Sequence, residues 1–191
     1  PLAPADVARL AERTEGWAAG LQLAGLSLQG RSDPAAFVES LSGSHRFILS
    51  YLTEEVLARQ PAAVQAFLLQ TSLLERLCGE LCDAVTGGSG SADLLERLVA
   101  ANLFIVPLDD EARWYRYHHL FGELLQTQLR RRGPEQVAEL HRRASRWHEA
   151  QAMPVEAIGH ALAAGEHERV AALLERHGWA LLNQGEAHRL E

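Results

Sequence analysis

The stretch WYRYHHLFGELL sets two adjacent imidazoles, His118 and His119, between an alternating aromatic run and an apolar helical one. Neighbouring histidines can ligate a metal ion or move protons near neutral pH. Either task needs a third convergent group, and the sequence names none. A junction between a strand and a helix also uses polar residues simply to end one element and start the next. The other histidines offer no stronger lead. His141, His148, His160 and His167 form no HExxH pair, and although His141 and His148 share a helical face, all four read as surface residues. Cys78 and Cys82, four positions apart, would share one helix face and could touch a zinc ion. A structural zinc site takes four ligands, however, and no second pair at finger spacing accompanies them. They read as reduced, packed thiols, which fits a cytoplasmic setting. No Gly-x-Ser-x-Gly elbow and no pocket-forming carboxylate pair is present in the sequence, so the chain is not expected to be an enzyme in itself.

Composition narrows the classes further. The 191 residues are 47% hydrophobic, enough for one large or two small buried cores. With 25 acidic and 18 basic residues the formal charge is −7, which disfavours a general polyanion-binding surface. The run RRRGPEQVAELHRRASRWH gathers Arg130, Arg131, Arg132, Arg142, Arg143 and Arg146 with Trp147, a mixture that could serve nucleic acid. Its lack of interleaved aromatics, in an acidic chain, favours a solvated helix face with interdomain salt bridges. No nucleic-acid contact is expected. Every basic residue is arginine, and a Walker-A loop needs Gly-Lys before Ser or Thr, so this chain cannot be a self-sufficient P-loop ATPase. No apolar run approaches the roughly 18 to 20 residues that span a bilayer. The start, PLAPADVARL, has neither a basic region nor a signal-like apolar core, and the expectation is a piece of a longer protein that stays in the cytoplasm.

Helical periodicity dominates, with strand-like alternation at one place. One helix is expected from Asp6 to Arg13 and a second, EGWAAGLQLAGLSLQ, from Thr14 or Glu15. DPAAFVESLSG, with Asp33 as cap, Pro34 at the first position and Gly43 as stop, would be a third. SHRFILSYLTEEVLARQ reads as a longer amphipathic helix, followed by helices opening at Pro61, in LCGELCDAVTG and at Ser91. FIVPLDDEARWYRYH then has β-favoured residues on both sides of the acidic turn DDEA, a hairpin pattern. Helices followed by a two-stranded wing describe a winged-helix domain, and helical period resumes after His119. Beyond Pro134 come four short helices, the last two being EHERVAALLERHG and WALLNQGEAHRLE, with Ala144, Ala157, Ala161 and Ala171 allowing close approach. The fold class is therefore mainly α: a helical bundle at 1–43, a winged-helix domain with a small β-hairpin at 44–133, and at 134–191 the start of an α-helical hairpin (TPR-like) repeat array.

Three of these segments together resemble the ATP-dependent LuxR-family transcriptional regulators of the MalT type, which are signal-transduction ATPases with numerous domains. Gly16, Trp17, Gly20, Leu21 and Leu23 match the helix that closes the family's nucleotide-binding region, which implies that residues 1–43 are the C-terminal helical part of that region. Tyr117, His118, Leu120 and Phe121 match its aromatic-His-x-Leu-Phe signature, and LHRRASRWHEAQAMPVEAIGHALAAGEHERVAALLE is similar to the entry into its sensor repeats. The resemblance implies a central regulatory module that couples the nucleotide state of a preceding ATPase domain to effector or partner binding by following repeats. It implies no cofactor in this chain and ATP or ADP in the full-length protein, with a Walker core before Pro1 and a DNA-binding helix-turn-helix beyond Glu191. It also implies that His118 reaches the β-phosphate of ADP. Trp17, Ala18 and His119 are secondary nucleotide-proximal candidates, the family's adenine-facing proline having no counterpart near Ala18. The partners implied are the flanking domains and an unidentified inducer or protein. The alternative from the residues alone is a helical protein-protein interaction scaffold with no nucleotide role.

Overall fold

The computed structural model describes residues 4–28 and 46–187, so the helix expected in DPAAFVESLSG lies outside the described residues. Helix α1 (Pro4–Arg13) opens on a proline, carries Asp6 in its first turn and Arg13 in its last, as the helix dipole favours. The chain then turns through Glu15 (φ +47°) and Gly16 (φ +74°). Two successive left-handed residues cannot continue a right-handed helix. Helix α2 accordingly runs Ala18–Leu28 rather than starting at Thr14 or Glu15. Thr14 instead closes α1, its hydroxyl donating to the Leu10 carbonyl at 2.9 Å.

Helix α3 (Arg46–Tyr51) passes into a π-helical segment, Leu52–Leu57, so the expected single long helix changes winding midway. Pro61 caps α4 (Ala62–Thr71). Helix α5 (Gly79–Thr86) ends at left-handed Gly87, and α6 (Ser91–Ala100) is tied back to it by the Ser91 backbone N–H donating to Asp83. Strands β1 (Ile105–Pro107) and β2 (Tyr115–Tyr117) pair antiparallel, with Ile105 opposite Tyr117 and Val106 opposite Arg116. Asp109 closes the wing by accepting from the backbone N–H groups of Arg113 and Trp114. Leu77 exchanges two 2.8 Å backbone bonds with Tyr115 on the far side of β2. Because strand side chains alternate, Tyr115 and Tyr117 enter the core while Arg116 faces out.

Helix α7 (His119–Arg130) follows directly, and Leu120, Phe121, Leu124 and Leu125 on it are fully buried against Leu68, Leu77, Leu81 and Leu95. The Tyr117 hydroxyl, buried among them, is bonded to the Thr71 hydroxyl at 2.6 Å, so the phenol enters the core without an orphaned polar atom. Cys78 and Cys82 lie buried and free in the same core. Burial pushes the Cys78 thiol up to about 11 and that of Cys82 higher still, so both are held protonated and inert.

Gly133 (φ +110°) and Pro134 separate α7 from α8 (Pro134–Ala150), which is followed by α9 (Pro154–Ala163) and α10 (His167–Ala187). Helix α8 belongs to two cores at once. Leu140 and Ala144 join the large one, while Ser145 donates to the Ala157 carbonyl at 2.8 Å beside a smaller one formed by Ala157, Ala161 and Leu173. Ala144, Ala157 and Ala161 provide the close approach expected of them, but Ala171 is exposed and Leu173 packs there instead. The two final short helices are one helix of 21 residues, because Gly178 weakens a helix without the clash and lost donor with which proline breaks one. Among the described residues no helix is long and apolar enough to cross a membrane.

Candidate functional site

His118 sits at the corner between β2 and α7. Its backbone N–H donates to the Phe104 carbonyl at 2.8 Å, extending the wing ladder by one bond, and the residue then serves as the N-cap position of α7. That corner brings the ring to the turn after α1. There Nε2 lies 2.8 Å from the Thr14 carbonyl oxygen. A carbonyl only accepts, so Nε2 carries the hydrogen and Nδ1 holds the lone pair of a neutral ring. Nδ1 is buried with no partner, and the residue is only 6% exposed. Burial pulls the imidazole below its ordinary pKa, against the opposing pull of the Thr14 bond and of Glu15.

An aromatic floor fixes that ring. Phe104 and Trp17 stand edge-on to it, at centroid distances of 5.8 and 6.3 Å, and Trp17 also meets Phe104 and Tyr51 at 5.1 and 5.5 Å. Trp17 is half-buried and lies flat across its own helix, where a β-carbon at Gly20 would overlap the indole. The Gly-Trp-x-x-Gly spacing is thereby explained as packing: Gly16 turns the chain and Gly20 makes room. Ala18, the first residue of α2, is exposed beside this cluster. Trp17 and Ala18 are thus both near His118, but Trp17 spends its ring on aromatic neighbours.

Glu15 completes the contact from outside. Its carboxylate accepts from both terminal nitrogens of Arg116 at 2.9 and 3.0 Å, from His119 Nδ1 at 2.7 Å and from the His119 backbone N–H at 3.3 Å. Burial alone would raise this carboxyl, but the Arg116 and His119 bonds outweigh it and hold the pKa at about 2. The residues joined are about a hundred positions apart in sequence, so a short turn after α1 is clamped to the wing by a buried bond and an ion-pair cluster. Both sides are strained: Glu15 at φ +47° and Phe104 at φ +57° are non-glycine residues in left-handed geometry. Such strain persists where surrounding contacts over-determine it. Glu15, His118 and His119 also bring three potential ligand atoms within 4.8 Å of one another. The Arg116 guanidinium already on that carboxylate opposes a second cation, so the cluster is an ion pair before it is a metal site. Beside it Arg9, Glu12, Arg13 and His119 line an open cleft of about 740 Å³.

A second histidine cluster was not legible as one. His141 and His160 place their Nδ1 atoms 2.8 Å apart across α8 and α9, and the His148 ring stacks on that of His160 at 5.3 Å. His148 is 5% exposed, and its Nδ1 has no partner. Burial lowers all three pKa values, that of His160 to about 4 with further repulsion from His141 and His148. The expectation of surface histidines is corrected for these three: α9 folds back antiparallel on α8 and covers them. A signal existed in the sequence. His141 and His148 share a face, and the tight turn before Pro154 returns the chain so that His160 lies opposite. The rings line a cavity of about 470 Å³ with Leu74, Trp114 and Met153. His167 lies apart, at the first position of α10. On the arginine-rich helix, Arg142 and Arg143 both pair with Glu139 of the same helix, Arg143 also reaches the Val85 carbonyl, and Trp147 packs edge-on to Trp114.

Residues 53–137 match the family described as the MalT winged helix domain. Over 172 residues, 90% of this chain, the sequence is 41% identical to the serine/threonine-protein kinase PknK of Mycobacterium tuberculosis, of which it covers 16%. It is 37% identical over its whole length to the HTH-type transcriptional regulator MalT of Klebsiella pneumoniae, covering 21% of that protein. Against MalT of Vibrio cholerae it is 37% identical over 185 residues, covering 20%. The chain thus spans about a fifth or less of the length of these relatives.

Proposed function

We propose that this chain, whose residues 53–137 match the MalT winged helix domain, is the central coupling module of a larger signalling protein. In this reading the wing senses the nucleotide state of a preceding ATPase domain, with ATP or ADP bound there, and transmits it to effector-binding repeats that begin at α8. Similarity to proteins named as a kinase and as HTH-type regulators supports a role in coupling rather than output. A segment found in both contributes what they share, and kinase or DNA-binding activity would be supplied by other parts of each protein.

The observation that carries this reading is the bond from His118 to the Thr14 carbonyl. It links the wing to the turn that follows α1, and it uses the one hydrogen of the neutral ring. A phosphate oxygen also requires a donor. His118 therefore cannot hold Thr14 and a phosphate through the same N–H, and the neutral ring offers only a lone pair at Nδ1. Two exclusive partners make a two-state element, whose balance a ligand shifts by its differential affinity. In the intact protein, His118→Ala is expected to weaken ADP retention and raise basal output. Unchanged ADP retention together with unchanged output would reject the sensing role.

The burial of Nδ1 favours a second reading in one respect: no ligand reaches that atom in this conformation. If His118 is only a clamp in a protein-protein scaffold, His118→Ala lowers the unfolding midpoint and leaves nucleotide affinity untouched.

A further inference from the structure

The carboxylate of Glu15 occupies a donor set that suits a different ligand. Arg116 presents two parallel N–H groups, His119 presents its ring N–H, and the first backbone N–H of the 12-residue helix α7 points at the same oxygen as the ring does. A guanidinium fork, an imidazole and a helix N-terminus are the groups that proteins use to bind phosphate oxygens. They are reachable: the side chains of Arg116 and His119 are each 36% exposed, and His119 borders the open cleft that Arg9 and Arg13 also line. In a chain of net charge −7 this is a local concentration of positive charge, offset by Glu12 and Glu15.

We propose that Arg116, His119 and the N-terminus of α7 form a binding site for a phosphate-type oxyanion, and that Glu15 is a built-in competitor which holds the site shut in this conformation. The carboxylate is supplied by a residue at φ +47° in the short turn between α1 and α2. Exchange of Glu15 for a phosphate group would leave every wing donor satisfied while freeing the turn after α1. The clamp and the anion would then exclude each other, as the two partners of His118 do. Linking this anion to a nucleotide rests on the coupling reading above, whereas the site itself is testable without it.

The test is a calorimetric titration of the full 191-residue chain with inorganic pyrophosphate at low ionic strength, with chloride as the control anion. Wild type should bind weakly. Glu15→Gln, which removes the competing charge, should bind about tenfold more tightly, and adding Arg116→Ala to it should abolish the gain. Should Glu15→Gln not fold, Glu15→Asp, one methylene shorter, must show the same direction. Pyrophosphate affinity that is unchanged or lower in the folded Glu15 variant, or a gain that survives loss of Arg116, would overturn the proposal. His118→Ala separates the two ideas. If it leaves pyrophosphate binding intact and ADP retention unaltered, the anion site stands and the nucleotide-sensing reading falls. If Glu15→Gln fails to tighten pyrophosphate binding while His118→Ala still weakens ADP retention, the reverse holds.

Discussion

Two histidine clusters lie among the described residues, and they are built on opposite principles. At the wing, His118 and His119 are neighbours in sequence whose rings stack at 5.0 Å, yet they face different worlds: one is sealed against a carbonyl, the other joins an exposed ion pair. At the junction of α8 and α9, three histidines from separate turns share one half-buried environment, bordered by Glu75, Arg76 and Glu156. Adjacency in sequence separates functions in the first cluster, and distance in sequence merges them in the second. The wing contact depends on the charge of Glu15 and Arg116. The junction depends on neutrality, so a proton disrupts it.

The largest expected difference follows from that contrast. For the junction, burial places the folded pKa of His160 at about 4, below the unfolded value near 6.5. Between these values the unfolded chain binds protons that the folded one excludes, so stability rises with pH and is lost on acidification through that window. The loss is up to about 3 kcal/mol, with His141 and His148 shifting in the same direction and the nearby Glu156 partly opposing it at His148. Glu15 has the same sign in a lower window. Its folded pKa of about 2 lies below the usual carboxylate value of 4.5, so its contribution is complete above 4.5 and fades only as pH falls toward 2. His118, lowered by burial, follows the junction's sign. Hydrogen exchange at pH 7, 5 and 3.5 should show α8 and α9 losing protection before the Glu15 cluster opens. Flat stability from pH 7 to 4.5 would contradict the neutral-junction account.

A second test breaks the wing alone. Gly20→Ala places a methyl group against the Trp17 indole, and overpacking of this kind costs about 1 to 3 kcal/mol. Because Trp17 supports the His118 ring, the substitution should also shift the His118 imidazole resonances while leaving those of His141 and His160 in place. Equal shifts in both clusters would show that the two are not independent.

The sequence made one of these regions far more readable than the other, for physical reasons. The hairpin was visible because β-favoured residues flank an acidic turn, and Asp109 closes that turn as such residues do. The three-dimensional role of His118 was visible only as a corner position; its partner is a backbone carbonyl, which has no residue type and leaves no trace in a sequence. Thr14 or Glu15 reads as a helix start by its capping type, but the left-handed pair Glu15-Gly16 ends one helix and positions the carboxylate for the wing. The junction was missed because histidine is counted as polar, so a face carrying His141 and His148 looks solvated until α9 is laid against it. Gly178 misled in the same way, since a glycine lowers helix propensity without deciding where a helix must stop.

The smallest expected effects are the single deletions that compare the clusters directly. His141→Ala removes the partner of a half-buried imidazole, and leaving the His160 nitrogen without it should cost about 1 to 2 kcal/mol in denaturant unfolding. His119→Ala removes an exposed partner from a carboxylate that keeps both Arg116 bonds, and solvent screening limits the loss to about 0.5 kcal/mol. The two variants also respond differently to salt. Raising the ionic strength should shrink the His119 effect toward zero, because it is a charge interaction near the surface, and leave the His141 effect unchanged, because that pair is a bond between neutral rings. If instead His119→Ala were the costlier change and insensitive to salt, the wing contact would be a packed joint, and an exchangeable Glu15 clamp would lose its physical basis.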